Sequence, residues 1–190
     1  SHRTPPPPAQ RTAVAAAYIS GGREVSANTA TALRQRAWSA AAQVVDHEIP
    51  VLTIADLGVL REVRLGSDGA IEVVITPTYS GCPAMATIAF DVELALESAG
   101  IAPSRVVTVL SPAWSTDWMS EAGRAKLKAY GIAPPQAGGS RRALFGETSV
   151  ACPQCGSAHT ERLAEFGSTA CKALWRCLDC REPFDYFKCH

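Results

Sequence analysis

Two Cys-x-x-Cys pairs near the end of the chain constrain its fold more than any other feature. Cys152 and Cys155 form one pair, and Cys177 and Cys180 form the other. Two thiolates separated by two residues can point at one ion, because the tight turn between them directs both sulfurs inward. Two such turns complete a tetrahedron. The pattern predicts a four-cysteine metal ribbon over residues 150–190, with these four side chains as ligands.

Zinc is the metal that we expect in this ribbon, although the same four thiolates would also hold iron in a rubredoxin-like site. A closed set of four thiolates leaves no open coordination position, so the predicted role is structural. A segment of about 40 residues buries little core, and the ion would supply much of its folding energy. Strand-like segments at 162–166, 173–176 and 184–188 complete the ribbon.

Charge and cysteine content narrow the class of protein further. Lysine plus arginine and aspartate plus glutamate each number 18 in 190 residues, and from residue 140 onward seven bases face six acids. Nucleic-acid binders usually carry a basic excess. No apolar run has the length of a membrane span. Seven cysteines in such a chain favour metal or thiol chemistry over disulfides. We expect a cytoplasmic protein without membrane or nucleic-acid partners.

Ahead of the ribbon, the chain divides into three segments. Residues 1–27 hold four consecutive prolines and few large apolar residues, which predicts disorder. Residues 28–133 show helical and strand patterns and form the main domain. Residues 134–149 are rich in Pro, Gly and Ser and are expected to be a linker.

The main domain is predicted to contain a helix, two strands, a helix, a strand and a helix. The first helix is expected at 30–45, and a hairpin joins strands at 59–65 and 70–76. The later elements are a helix from Pro83 to Gly100, a strand at 106–110 and a helix from Ser115 to Gly131. The fold class is therefore α/β, a small two-layer α-β-β-α-β-α domain followed by a β zinc ribbon.

Cys82 is the candidate functional thiol of the main domain. It precedes Pro83 in the loop Thr78-Tyr79-Ser80-Gly81-Cys82, where a helix N-cap is expected. The positive end of the helix dipole and free backbone N–H groups favour the thiolate there, so we expect a lowered pKa. A half-buried cysteine without chemistry is an equal alternative from position alone. Asp46, His47 and Glu48 form a polar cluster that could equally be a solvated helix end.

Several motifs together resemble the iron–sulfur-assembly-like domain family. They are Asp46 to Pro50, Asp56-Leu57-Gly58, Thr76-Pro77-Thr78 and Gly81-Cys82-Pro83. The cysteine matching Cys82 is the functional residue of that family, and the acids matching Asp46 and Glu48 belong to its signature. Thr78 and Gly81 lie in the same motifs. His47 stands where the family usually has proline, and we interpret it first as filling a tolerant turn.

The ribbon and two segments around Thr116 to Glu121 and Tyr130 to Pro135 narrow the resemblance. Together they are similar to the PaaD-type family, components of the phenylacetyl-CoA epoxidase (phenylacetate-CoA oxygenase) system. The resemblance covers about residues 30–190. It also makes Cys171 a second candidate thiol, since Phe166 to Lys172 is typical of that family.

The resemblance implies an accessory role rather than turnover of substrate. Such a component would assist iron–sulfur or metal-centre assembly in a partner subunit, with the iron–sulfur reductase as the expected partner. A transient iron–sulfur cluster would then join the structural zinc as a cofactor. One cysteine in the main domain would also suit a cluster shared by a homodimer.

Two alternatives come from other classes of protein. One is a thiol-dependent enzyme with Cys82 as nucleophile and His47 as base, because a nucleophilic thiol needs such a base or a lowered pKa. The other is a nucleic-acid or protein adaptor based on the ribbon. Proximity of His47 to Cys82 would support the first, and salt-dependent nucleic-acid binding would support the second.

Overall fold

The structure is a computed structural model, and it describes residues 27–135 and 150–188. The predicted disorder over residues 1–26, residues 136–149 of the expected linker, and Cys189 lie outside the described residues.

The main domain has the predicted order of elements, which confirms the α/β class. They are α1 Ala27–Ala41, β1 Leu60–Leu65, β2 Ile71–Ile75, α2 Ala84–Ser98, β3 Ser104–Thr108, a 3-10 turn at Thr116–Trp118, and α3 Glu121–Ala129. The single helix expected from Ser115 to Gly131 is two pieces, because two serines cap separate turns. Ser115 accepts a hydrogen bond from the Asp117 N–H, and Ser120 accepts one from the Gly123 N–H.

The first helix begins and ends earlier than the expected 30–45. Val45 leaves the helix because it forms an antiparallel bridge with Thr53, and the Val44 carbonyl accepts from the Ile54 N–H at 2.9 Å. The segment after α1 is thereby held against the segment that precedes β1. This turn places Asp46, His47 and Glu48 at the edge of the domain.

Three strands form the sheet of the main domain. The central strand β2 runs antiparallel to β1 and parallel to β3. Helices α1 and α2 contact each other and cover the sheet. The core beneath them is almost fully buried and includes Ala37, Ala41, Ile71, Val73, Ile75, Ile88, Val92 and Leu96. The expected apolar stripe of α2 is therefore the face that packs on the sheet.

The ribbon sheet takes one of its strands from the end of the main domain. It contains β4 Ile132–Ala133, β5 Thr160–Ala164, β6 Lys172–Cys177 and β7 Pro183–Phe187, in the order β4-β7-β6-β5. Strand β4 follows α3 directly and pairs in parallel with β7. A continuous sheet therefore joins the two parts of the chain.

Aromatic packing strengthens this junction. The rings of Trp114 and Phe187 meet edge to face, with centroids 6.0 Å apart. Phe187, from the ribbon, is 1% exposed and belongs to the hydrophobic core of the main domain. Trp114 also donates its indole N–H to the Leu57 carbonyl at 2.9 Å. The ribbon is thus packed against the main domain and is not an independent module on a linker.

Every helix in the described part of the chain is too short or too polar to cross a membrane.

Candidate metal centre and thiol site

The four ribbon cysteines converge as the spacing predicts. Their sulfur atoms all lie within 4.8 Å of one another. Cys152 and Cys180 place their sulfurs 3.7 Å apart, and Cys155 and Cys177 place theirs 3.6 Å apart. Sulfurs bound tetrahedrally to zinc at about 2.3 Å would stand about 3.8 Å apart. The donor set therefore fits one tetrahedral metal ion, and we call these four cysteines the ribbon site.

The two knuckles of the ribbon site share one backbone design. Cys152 donates its N–H to the Ser157 carbonyl, and Cys177 donates its N–H to the Glu182 carbonyl, five residues ahead in both cases. The residue after each second cysteine has a positive φ, 77° at Gly156 and 69° at Arg181. Each sulfur position is therefore set by local turn geometry.

The four thiols of the ribbon site need a bound cation before they can all lose their protons. The N–H groups of Cys180 and Asp179 lower the pKa of the Cys177 thiol to about 7. The Glu182 N–H stabilises the thiolate of Cys180, yet desolvation and the hydrogen bonds with the neighbouring thiols together outweigh it and raise the pKa of Cys180 to about 12. Four crowded sulfurs cannot all ionise without a positive charge between them, which a metal ion supplies.

Cys82 lies at the rim of the main domain, just before α2. The helix begins at Ala84, one residue later than expected, with Pro83 as its N-cap. The N-cap position expected for Cys82 is therefore occupied by Pro83, and Cys82 lies one residue before it. Cys82 is half-buried, whereas Gly81 and Pro83 on either side are exposed. A partner molecule can reach the thiol from this side.

The pKa of Cys82 is raised, so the expectation of a lowered pKa is wrong. Burial is the largest cause, and the negative charges of Glu48 and Asp46 add to it. The Ala84 N–H and the Tyr79 hydroxyl favour the thiolate but do not outweigh burial and the two carboxylates. Without a bound cation the Cys82 side chain is a protonated thiol at neutral pH.

The acidic motif after α1 reaches the neighbourhood of Cys82. Asp46 is 8% exposed, and its carboxylate accepts from the N–H groups of Glu48 and Ile49, both at 2.8 Å. Burial raises the pKa of Asp46, and the charge of Glu48 raises it further. The turn thereby fixes the backbone at Glu48, whose carboxylate accepts from the Cys171 thiol. The solvated helix end considered for this motif does not describe Asp46.

Cys171 comes from the ribbon and meets Glu48 across the junction. Its thiol donates to Oε2 of Glu48 at 3.1 Å, between residues 123 positions apart. Its sulfur also lies 3.0 Å from Oγ1 of Thr169. Burial raises the pKa of Cys171 to about 12, and the hydrogen bond to Glu48 contributes. Cys171 is therefore distinct from the ribbon site.

Tyr79 hydrogen-bonds to Cys82, and sequence analysis did not single it out. Burial raises its pKa to about 12, and the charges of Cys82, Glu48 and Cys171 all contribute, together with a hydrogen bond to Cys82. Its place three residues before Cys82 was the available signal. We call Asp46, Glu48, Tyr79, Cys82 and Cys171 the interface cluster.

Thr78 and Gly81 lie in the loop that carries Cys82. Thr78 is half-buried and Gly81 is exposed. A Cβ atom at Gly81 would meet, among the described residues, Cε2 of Tyr79 at an ordinary 3.9 Å, and its φ is not positive. Packing and backbone geometry therefore do not require glycine at this position.

His47 has a partner of its own. Its Nε2 lies 2.6 Å from Oδ2 of Asp91 on α2. The groups that act most strongly on the Cys82 thiol are Ala84, Glu48, Asp46 and Tyr79. The structure therefore gives no support to His47 as a general base for Cys82.

The Asp56-Leu57-Gly58 motif holds the fold together. The Asp56 carboxylate accepts from the Thr53 N–H and hydroxyl and forms an ion pair with Lys126 of α3 at 2.6 Å. Gly58 has φ of 70°, and a Cβ there would overlap the Trp118 carbonyl oxygen. These contacts hold the segment that precedes β1 against α3. They explain why the motif needs both Asp56 and Gly58.

Two family models match the chain, one on each side of the junction. One is described as an iron–sulfur cluster assembly protein and matches residues 34–111. The other is described as a PaaD zinc beta ribbon domain and matches residues 136–188.

Three relatives extend these matches. A protein of Escherichia coli (strain K12), provisionally named as the D component of 1,2-phenylacetyl-CoA epoxidase, is 51% identical over 152 residues, 80% of this chain and 90% of that protein. An Fe-S protein maturation auxiliary factor of Porphyromonas gingivalis (strain ATCC BAA-308 / W83) is 38% identical over 44% of this chain and 80% of its own length. The auxiliary factor YitW of Bacillus subtilis (strain 168) is 33% identical over 50% and 94%, respectively.

Proposed function

Because the chain belongs to the PaaD-type family of phenylacetyl-CoA epoxidase components, with an iron–sulfur-assembly domain and a zinc ribbon, we propose that it is an accessory factor that helps to assemble an iron–sulfur centre in a partner component of that system. Cys82 is the working thiol, and the ribbon holds a structural zinc ion. The client is the iron–sulfur reductase component.

The observation that carries this proposal is the placement of Cys82. Cys82 lies half-buried in the loop directly before α2 with a hydrogen bond from Tyr79, and the exposed residues Gly81 and Pro83 flank it. A thiolate is the ligand that iron prefers in iron–sulfur centres. A thiol that is fixed in position yet reachable suits brief binding of a cargo that must leave again.

The raised pKa of Cys82 supports a cargo that brings its own positive charge. Burial and the carboxylates of Glu48 and Asp46 keep the thiol protonated when it is free. A protonated thiol is a poor nucleophile and resists oxidation. An iron centre that binds there releases the proton to solvent, so the thiol becomes a ligand only when the cargo arrives.

The ribbon metal has a different task from the cargo. Cys152, Cys155, Cys177 and Cys180 form a closed set of four thiolates, and a zinc ion bound by them supplies folding energy to the ribbon. The ribbon in turn packs Phe187 against Trp114 of the main domain. Zinc therefore supports the surface from which Cys82 acts.

The test compares Cys82→Ala with a matched variant of the same loop, Ser80→Ala, whose side chain is exposed. Each is coproduced with the reductase component without oxygen, and zinc, iron and acid-labile sulfide are measured on both proteins. We expect Cys82→Ala to keep one zinc ion per chain and its fold, and the reductase to lose most of its iron and sulfide. Ser80→Ala should match the wild type. Full loading of the reductase with Cys82→Ala would contradict the proposal.

A further inference from the structure

The outer side of α2 carries large apolar side chains that face solvent. Phe90 is 63% exposed and Leu94 is 51% exposed. The two residues are four positions apart, so their side chains are neighbours on the same side of the helix. The other side of α2 is its buried stripe in the core of the main domain, which contains Ile88, Val92 and Leu96. The helix is therefore apolar both where it packs on the sheet and on part of the side that faces away from the sheet.

The fold of this chain does not account for an exposed apolar pair on α2. A helix that covers a sheet normally presents polar side chains to solvent. Single exposed apolar residues are ordinary, whereas adjacent large ones mark surfaces that bind another molecule. Phenylalanine is also enriched where proteins associate. We call Phe90 and Leu94, together with the exposed Ala86 that lies four positions before Phe90, the α2 surface.

The α2 surface begins next to the loop that holds Cys82. Cys82 lies two residues before the first residue of α2, Ala84, and Ala86 lies in the first turn of the helix. A helix rises by about 1.5 Å per residue, so Phe90 and Leu94 stand about 9 and 15 Å along the axis from Ala84. A protein bound over this distance has part of its own surface beside the half-buried thiol.

Acidic residues flank the α2 surface. Glu93 and Glu97 are exposed, and among the described residues neither forms an ion pair. Asp91, on the other flank, pairs with His47 at 2.6 Å. The 15 residues of α2 contain no lysine or arginine. Since bound surfaces carry complementary charges, this pattern favours a partner with lysine or arginine around an apolar centre.

The same acids argue against a second copy of this chain on the α2 surface. In a twofold dimer both subunits present the same patch to each other. Two α2 surfaces in contact would bring the Glu93 and Glu97 carboxylates of both copies together, and like charges held close across an interface raise the free energy of the complex. The α2 surface therefore fits a basic-rimmed partner better than it fits itself.

We propose that the α2 surface is the docking site for the client protein, and that the client presents apolar side chains flanked by lysine or arginine there. This inference deepens the proposed function and rests on it, because docking along α2 brings the client to Cys82. Phe90 and Leu94 supply most of the affinity. Glu93 and Glu97 orient the client and speed its association.

The test measures the affinity of the full chain for the reductase component by calorimetry. The wild type should bind, and Phe90→Ala and Leu94→Ala should each bind at least about tenfold more weakly. Leu163→Ala is the matched control, because Leu163 of the ribbon is 48% exposed, and it should bind like the wild type. Alanine favours exposed helix positions over phenylalanine and leucine, so the thermal midpoints of the two α2 variants should not fall.

The acidic flank is tested by the dependence of binding on salt. Replacing both Glu93 and Glu97 by glutamine should weaken binding about two- to fivefold at low salt, because each change removes a charge that attracts the client. The difference should vanish at high salt, where exposed charges are screened. Glu121→Gln removes an exposed acid of α3 and should leave the affinity unchanged.

Three outcomes would overturn the docking site. They are wild-type affinity in a variant with both Phe90→Ala and Leu94→Ala, failure of the wild type to bind the reductase, and a wild-type dimer in sedimentation that this double variant dissociates. The last outcome would assign the α2 surface to a second copy. Cys82→Ala separates docking from the proposed function, since it should bind the reductase like the wild type yet leave it without iron. If the double variant binds normally while Cys82→Ala still lowers iron in the reductase, the proposed function stands without this docking site.

Discussion

The ribbon site and the interface cluster are both built around cysteines, but they are specified over different distances. Each half of the ribbon site comes from one turn, and its sulfurs stand 3.6 and 3.7 Å apart across the two turns. The interface cluster joins a turn after α1, a loop before α2 and a residue before β6, with Glu48 and Cys171 separated by 123 positions. The ribbon site is thus a local design, whereas the interface cluster exists only when the two halves of the molecule are packed together.

This difference separates the tasks that the two sites can perform. Four gathered sulfurs bind a metal tightly and hold it, which suits a structural ion. In the interface cluster, Cys82 is half-buried and the Cys171 thiol donates to Glu48, an arrangement that suits a thiol binding a cargo briefly. The comparison predicts that damage to the ribbon site spreads to the interface cluster, whereas damage to the interface cluster leaves the ribbon site intact.

The largest effect is expected from loss of the ribbon metal. Cys177 is fully buried and central to the ribbon site. Binding of structural zinc is worth about 10–16 kcal/mol in small zinc peptides, so Cys177→Ser should lose the metal and unfold the ribbon. Metal analysis and hydrogen exchange of β6 and β7 measure this. Cys82→Ser is the matched control and should keep one metal ion. Retention of metal by Cys177→Ser would contradict the claim that the ribbon site, unlike the interface cluster, holds the structural ion.

A smaller effect should follow when the junction is loosened with the ribbon metal in place. Phe187 is 1% exposed against Trp114, and Phe187→Ala should lower the free energy of unfolding by about 3–5 kcal/mol. The zinc content should not change, because the ribbon sulfurs are set by their own turns. Phe166→Ala is the control, since that ring is 61% exposed, and it should cost less than about 1 kcal/mol. Equal losses of stability in both variants would show that packing at the junction contributes no more to the free energy of unfolding than an exposed ring does.

The smallest effect concerns one charge in the interface cluster. Burial, Glu48 and Asp46 raise the pKa of Cys82, so alkylation of its thiol in the metal-free interface cluster should rise only at a pH above that of an ordinary thiol. Glu48→Gln removes one negative charge and should move this profile to lower pH. Mass spectrometry of the Cys82 peptide at a series of pH values measures it, with exposed Glu93→Gln as control. An unchanged profile in Glu48→Gln would show that Glu48 does not act on Cys82.

Much of the main domain was predictable because its signals are local. The order of helices and strands followed from hydrophobic period and turn residues, and the ends shifted where tertiary contacts intervened. The bridge from Val45 to Thr53 ends α1 early, and Ser120 starts α3 separately from the preceding turn. Local propensity does not report such contacts between distant segments.

The position of Cys82 before α2 was predictable from the sequence, but the direction of its pKa shift was not. Cys82 lies in the loop directly before α2, as expected, but Pro83 occupies the N-cap position that was predicted for it. The pKa of Cys82 is raised and not lowered, because burial and the carboxylates of Glu48 and Asp46 outweigh the effect of the helix N-terminus. The burial comes from the packed domain, and Glu48 and Asp46 reach Cys82 only through the fold, so no window of sequence around Cys82 contains this information.

The sequence by itself therefore determined which four cysteines of the ribbon converge, since two turns of four residues each set where their sulfurs point. It also determined the alternation of helices and strands, since hydrophobic period is a property of neighbouring residues. The tertiary structure alone decided that β4 joins the ribbon sheet and that Cys171 meets Glu48. The physical reason is that contacts between distant segments depend on which buried faces fit together, and that fit is a property of the whole packed chain.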